Sequence, residues 1–313
     1  MRLGRHREPA RRSCCRLDRP ACPISEARDV NRLRRDRRAL FGVVVLVLVS
    51  GAGAAAPLIS TGAPAAQHDV VATRFQPPLS TDHAGTFHLL GTDRFGRDVW
   101  TRLVYGARVS LVVGVVAVIL SVVIGLLVGG VAGYWPGRPR VALLAATDFT
   151  IAIPRVVLVL LLAALARPSA GLVILVLGLT GWMSVARLVQ GEVRSLAARP
   201  FVEGAVALGL SRARVLARHI VPNALTPVIV SAALGLGNAI GLEAGLSFLG
   251  LGVQPPTPSW GNMIASGRDT LVNAPWVATA PGIALVLVVV ACTLLGDALQ
   301  DALNPTARHD TVR

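Results

Sequence analysis

The sequence predicts an all-α membrane protein with six transmembrane helices, and three observations carry that expectation. Of the 313 residues 53% are hydrophobic and the mean hydropathy is +0.61, which is too apolar for a soluble domain. The apolar residues are mainly Val, Leu, Ala and Ile, with only 4% aromatics; that mixture packs helices in lipid rather than building an aromatic-girdled outer-membrane barrel. They are gathered into runs long enough to cross about 30 Å of hydrocarbon at about 1.5 Å per residue.

Residues 1–38 are Arg-rich, aperiodic and poor in apolar side chains ("RRSCCRLDRP", "NRLRRDRR"). They are expected to form a disordered basic tail retained in the cytoplasm rather than a nucleic-acid-binding arm, because they abut a hydrophobic run directly. Residues 39–60 form the first expected span. Its basic flank and the small residues around Ala54 and Ala56 also resemble a cleaved signal, but Pro57 directly after them argues for an uncleaved anchor. Residues 61–108 are polar and turn-rich and are expected to be extracytoplasmic or interfacial; Thr92 or Asp93 can cap a helix there, and Trp100 and Tyr105 suit a membrane interface. A core of 109–299 follows, with spans at about 109–132, 141–166, 171–190, 224–250 and 275–299, a loop at about 191–223 and a C-terminal tail at 300–313.

Arginine placement sets the orientation. The insert carries Arg187, Arg194, Arg199, Arg212, Arg214 and Arg218, whereas the 251–274 loop carries only Arg268. Both termini, "GYWPGRPR" and the insert are therefore expected inside, and the loops near Arg167 and Gln254 outside. In that outer loop Trp260 and Trp276 read as interfacial anchors. Small residues recur every fourth position at Gly125, Gly129 and Gly133 and at Gly237, Gly241 and Gly245, a spacing that lets helix backbones approach closely in lipid.

Several function classes are excluded. The +14 formal charge comes from arginine alone, and without a lysine the chain lacks the Walker A side chain that holds phosphates. Cys14, Cys15, Cys22 and Cys292 form no CxxC and have no His at zinc spacing, so no metal or disulfide role is expected. No HExxH or GxSxG occurs, which leaves no recognisable intramembrane hydrolase.

The insert "FVEGAVALGLSRARVLARHIVPN" is sharply punctuated. Pro200 suits a first helical turn, Glu203 the positive end of its dipole, and Gly209 a stop. Ser211 can cap a second short helix that Pro222 is expected to terminate. Two short helices across a glycine elbow make a rigid projecting knob.

Glu203, Ala205, Gly209, Ile220, Pro222 and Asn223 together resemble the cytoplasmic signature loop of binding-protein-dependent ABC importer permeases. The stretches "LGTDRFGRDVWTRLVYGARVSL", "GLEAGLSFLGLGVQPPTPSWGNMI" and "LLGDALQDALNP" narrow the resemblance to the C-type subunit of the oligopeptide, dipeptide and nickel branch, over roughly residues 40–305. The resemblance implies a type I importer transmembrane fold in a bacterial cytoplasmic membrane. It implies a second, similar permease, two ATPase subunits that bind ATP and Mg, an extracytoplasmic binding protein, and no cofactor or covalent chemistry in this chain. It implies that Glu203, Gly204, Ala205, Gly209, Leu210, Ser211 and Pro222 dock on an ATPase, with Glu203 and Ala205 on the docking side. Peptides are the solute the branch favours, and nickel chelates are the alternative. Four positions depart from the pattern: Gly204 stands for a second Ala, Gln300 and Asn304 replace an Arg and an Asp, and Arg155 follows Pro154 where a small residue is common. The "GTDRFGRD" stretch marks the family but suggests no chemistry beyond capping and interfacial placement.

Asp148, Arg155 and Glu243 fall within apolar runs, where an ionised group costs about 2.5–3.5 kcal/mol and is expected to face protein or water. Two readings stand: a satisfied internal network with Asn238 as a further partner, or a pathway lining that matches the two charged ends of a peptide. A proton-coupled carrier could use Asp148 or Glu243 as a relay, but it would not need the docking insert. Pro154 is expected to kink the third span, as a static bend.

Overall fold

The computed structural model describes residues 36–60, 62–67 and 70–303. The basic tail up to Arg35, with Cys14, Cys15 and Cys22, and Asn304 with the residues after it lie outside them. In chain order the elements are α1 (Arg37–Ala54), α2 (Ala56–Ile59), α3 (Val70–Thr73), a hairpin of β1 (Ser80–Thr81) and β2 (Phe87–His88), α4 (Val99–Tyr134), α5 (Arg138–Ala152), α6 (Arg155–Ala164) and α7 (Ala170–Ala197). Then come α8 (Pro200–Ala207), α9 (Arg212–Val215), a π-helical turn (Leu216–Ile220), α10 (Val221–Phe248), α11 (Trp260–Arg268) and α12 (Trp276–Leu303). Among the described residues five helices are long and apolar enough to span a membrane, or six if α5 and α6, bent by 86° at their junction, count as one.

Glycine contacts decide between those numbers. A Cβ on Gly125 would lie 2.6 Å from Val185, one on Gly129 2.8 Å from Val189 and one on Gly133 2.8 Å from Val193. The constant offset makes α4 and α7 parallel neighbours in register, so the chain between them must return across the layer. The broken pair α5 and α6 is that return, and the total is six. Against α10 the order reverses: Gly114 of α4 faces Ile240 and Gly235 faces Val118, while Gly237 faces Cys292 and Gly296 faces Leu234 of α12. These pairs are antiparallel. The start of α1, the α4–α5 turn, the α7–α10 connection and the end of α12 therefore share one side.

The structure corrects several expectations. The second span starts ten residues early, at Val99, and its cap is Asp98, whose carboxylate accepts from Thr101 N at 2.7 Å; neither Thr92 nor Asp93 caps it. The third span is not one helix, because Pro154 lacks the N–H that would continue the ladder. Only part of the second glycine series is a packing seam. Gly237 meets α12, but Gly241 and Gly245 have open space where a Cβ would go. Four-residue steps on a 3.6-residue helix drift by about 40° each, which turns the last two away. Trp260 is core rather than an interfacial anchor: it is 1% exposed and donates from Nε1 to Leu103 O.

Candidate functional site: a membrane cavity and an exposed elbow

A cavity of about 700 Å³ opens between α4, α7, α10, the end of α12 and the corner of the broken span. Val159 and Ala163 hold α6 against Val173, Val176 and Leu177 of α7 and Val113 and Ala117 of α4. That packing leaves the first residue of α6, Arg155, at the cavity wall. Its guanidinium lies beside Gly181, at contact distance (3.4 Å) from where a Cβ would stand, although the group such a Cβ would crowd is the Ser121 side chain of α4. Asn238 and Glu192 line the same space. None of the three side chains has a hydrogen-bond or ion-pair partner among the described residues.

The intramembrane charges thus do not form one group. Asp148 lies outside the cavity and pairs with Arg187 of α7, both half-exposed. Glu243 is fully buried, accepting from Ser110 Oγ and Ser247 Oγ at 2.8 Å each. Ser110 Oγ also accepts from Trp260 N at 3.3 Å. This knot ties α10 to α4 and to the start of α11, and it does not reach the cavity. Of the sequence-derived pathway quartet only Arg155 and Asn238 face the space; Asp148 and Glu243 are satisfied elsewhere, and Glu192 was missed. Glu192 sits at the basic end of α7, where it reads as an ordinary solvated acid.

The segment joining α7 to α10 forms the elbow. Val202, Ala205, Val215 and Ile220 are buried against Val189, Val193 and Leu196 of α7 and Ala224 and Val228 of α10. Gly209, at φ +82°, closes α8: its N–H donates to Val206 O and that of Leu210 to Ala205 O. These are the two bonds of a Schellman stop, which only glycine enters without strain. Ser211 occupies the cap position of α9 but makes no side-chain cap bond. Ala205 points inward and is not on an outer face; the exposed groups include Phe201, Glu203, Gly204, Val206 and Leu208, the last 84% exposed. Pro222 does not end a helix either. Val221 N donates five residues back to Leu216 O, and this wider turn lets the chain pass the proline and run on as α10.

Residues 100–309 match the model of the binding-protein-dependent transport system inner membrane component, and residues 25–78 that of the N-terminal TM domain of oligopeptide transport permease C. The chain belongs to that inner membrane component family. A putative peptide transport system permease protein of Brucella abortus is 40% identical over 279 residues, 89% of this chain and 91% of that protein. The dipeptide transport system permease protein DppC of Bacillus subtilis is 36% identical, covering 89% of this chain and 85% of its own. In fold the chain is similar to a chain of the MetNI methionine ABC transporter in an inward-facing conformation, with TM-score 0.53 and 20% identity over 64% of this chain and 96% of that one.

The permease has a second ordered polar region, on the side opposite the elbow. Asp93 receives Phe95 N and Arg97 N on one oxygen and the Arg97 guanidinium on the other, at 2.6 Å and 2.7 Å, with Arg102 at 3.8 Å. Thr92 Oγ1 donates to Thr73 O and accepts from Gln76 N. His88 stands between Asp98, 2.9 Å from Nδ1, and Asp82, 3.6 Å from Nε2. Backbone N–H groups of Thr86 and Ala84 hold the Asp82 carboxyl below the usual carboxylate range, with His88 adding to the effect. "GTDRFGRD" is therefore a structural ledge. Asp93 and Arg97 pair across a turn rather than along a helix, so no helical spacing announces the contact, and nothing in the sequence pairs it with residues earlier in the chain.

Proposed function

We propose that this permease is the membrane-spanning subunit of an ATP-driven importer that carries di- and oligopeptides across the bacterial cytoplasmic membrane. It works beside a second, similar permease, two ATPase subunits that hold ATP and Mg, and an extracytoplasmic binding protein that delivers the peptide. It makes and breaks no covalent bond itself. The elbow, both termini and the α4–α5 turn lie in the cytoplasm, in keeping with their arginines.

One observation carries this reading: the exposed elbow is the segment that joins two walls of the cavity. α7 enters it and α10 leaves it, and both line the space. Because Val202, Ala205 and Val215 are buried against those helices, a push on Phe201, Glu203 or Leu208 moves the walls rather than a loose loop. Packed cores answer such a push by switching between discrete arrangements. An ATPase that grips this face can therefore open and close the cavity from outside the membrane.

The test uses the assembled importer in proteoliposomes. Leu208→Glu and Glu203→Ala, each at an exposed position, should leave the complex folded while ATP-driven peptide uptake falls at least about tenfold, which corresponds to about 1.4 kcal/mol of coupling. Wild-type uptake in both variants would remove the elbow from the coupling path.

A further inference from the structure

Arg155 and Glu192 are opposite charges that share one cavity and have no partner among the described residues. Two other charges in the apolar runs are already engaged: Asp148 with Arg187, and Glu243 with two serines. A guanidinium left unpaired at membrane depth is costly unless water or a passing solute meets it. Resting on the reading that the cavity carries peptides, we propose that Arg155 and Glu192 form a two-pole site for zwitterionic peptides, Arg155 taking the C-terminal carboxylate and Glu192 the N-terminal ammonium.

The chemistry and the spacing agree. A guanidinium matches a carboxylate with paired N–H donors, and a carboxylate accepts from an ammonium. Arg155 sits beside Gly181 and Glu192 lies eleven residues further along the same helix, about 16 Å at about 1.5 Å per residue. An extended peptide covers about 3.3–3.6 Å per residue, so one of about four or five residues engages both poles together. A dipeptide, about 7 Å long, engages one at a time. Asn238 adds an amide to the wall, suited to backbone groups between the termini. Glu192 is close to the elbow in sequence, so the peptide's N-terminus points toward the cytoplasm.

The experiment measures ATP-driven uptake of tetra-alanine, its C-terminal amide and its N-acetyl derivative by the complete importer in proteoliposomes, at concentrations that saturate the binding protein. Each variant is scored against wild type for the same peptide, so selection by the binding protein cancels. Arg155→Gln should lower uptake of tetra-alanine and the N-acetyl form by about tenfold, the loss of one charge-assisted contact, and leave the amide unchanged. Glu192→Gln should do the reverse, sparing only the N-acetyl form. Arg155→Lys should recover part of the lost uptake. Equal loss for all three peptides in either variant would overturn the proposal and assign that residue to packing or to a subunit contact, with the importer reading intact. No uptake of any peptide by the wild-type complex would overturn both.

Discussion

The ledge around Asp93 and the cavity with its elbow treat charge in opposite ways. On the ledge Asp93, Arg97 and Arg102 are each less than 8% exposed, and both arginines face the one carboxylate. At the elbow Arg194, Arg199, Arg212, Arg214 and Arg218 are exposed and in no ion pair among the described residues, and in the cavity Arg155 and Glu192 are also unpaired. Charge that is paired and desolvated fixes geometry, because removing one partner strands the other. Charge that stays unpaired is available to something that arrives later. The same contrast separates Glu243, sealed among serines, from Arg155.

The comparison can be broken most severely at Asp93. Asp93→Ala strands Arg97 and leaves Arg102 with only the Pro64 carbonyl, and should destabilise the permease by about 3–5 kcal/mol, read as a large fall in the thermal midpoint in detergent; an unchanged midpoint would mean the ledge is ornamental. Next is the α4–α7 seam, which connects the two regions. Gly129→Val places a Cβ within 2.5 Å of the Ala186 carbonyl, a backbone group that cannot swing aside, and should cost about 1–3 kcal/mol. Gly204→Ala at the elbow has the opposite sign, since open space surrounds the position. It should strengthen α8 by about 0.5–1 kcal/mol, seen as slower amide exchange over 200–207.

The smallest effect should come from acid. The folded Asp82 carboxyl is held below its ordinary value, so its contribution is fully present above the unfolded value, about 3.9, and is lost as pH falls through the folded one. Protection of the hairpin amides, taken relative to the intrinsic exchange rate at each pH, should fall below about pH 4 while protection at the elbow is unchanged; equal loss at both would unlink the hairpin from Asp82.

Much of this was legible from one dimension. Span count, the glycine stop at 209 and the Arg155 anomaly all rest on local rules of hydropathy, backbone freedom and charge. Pro222 was misread because a proline ends a helix only if the preceding turn stays α-helical, and a π turn removes that condition. Ala205 was placed on the wrong face because α8 has too few turns for its periodicity to tell inside from outside.

The sequence by itself determined that this chain is a six-span membrane protein with a rigid, basic elbow, since hydrocarbon demands long apolar helices and backbone stops are written in single residues. Only the tertiary structure decided which charges are spent and which are free. Asp148, Arg155 and Glu243 look alike along the chain, each a charge within an apolar run, and Glu192 reads as a solvated acid, but a charge's state depends on what other helices bring to it. Register between α4 and α7 set the direction of the broken span, and the 86° corner at Pro154 put Arg155 into the cavity.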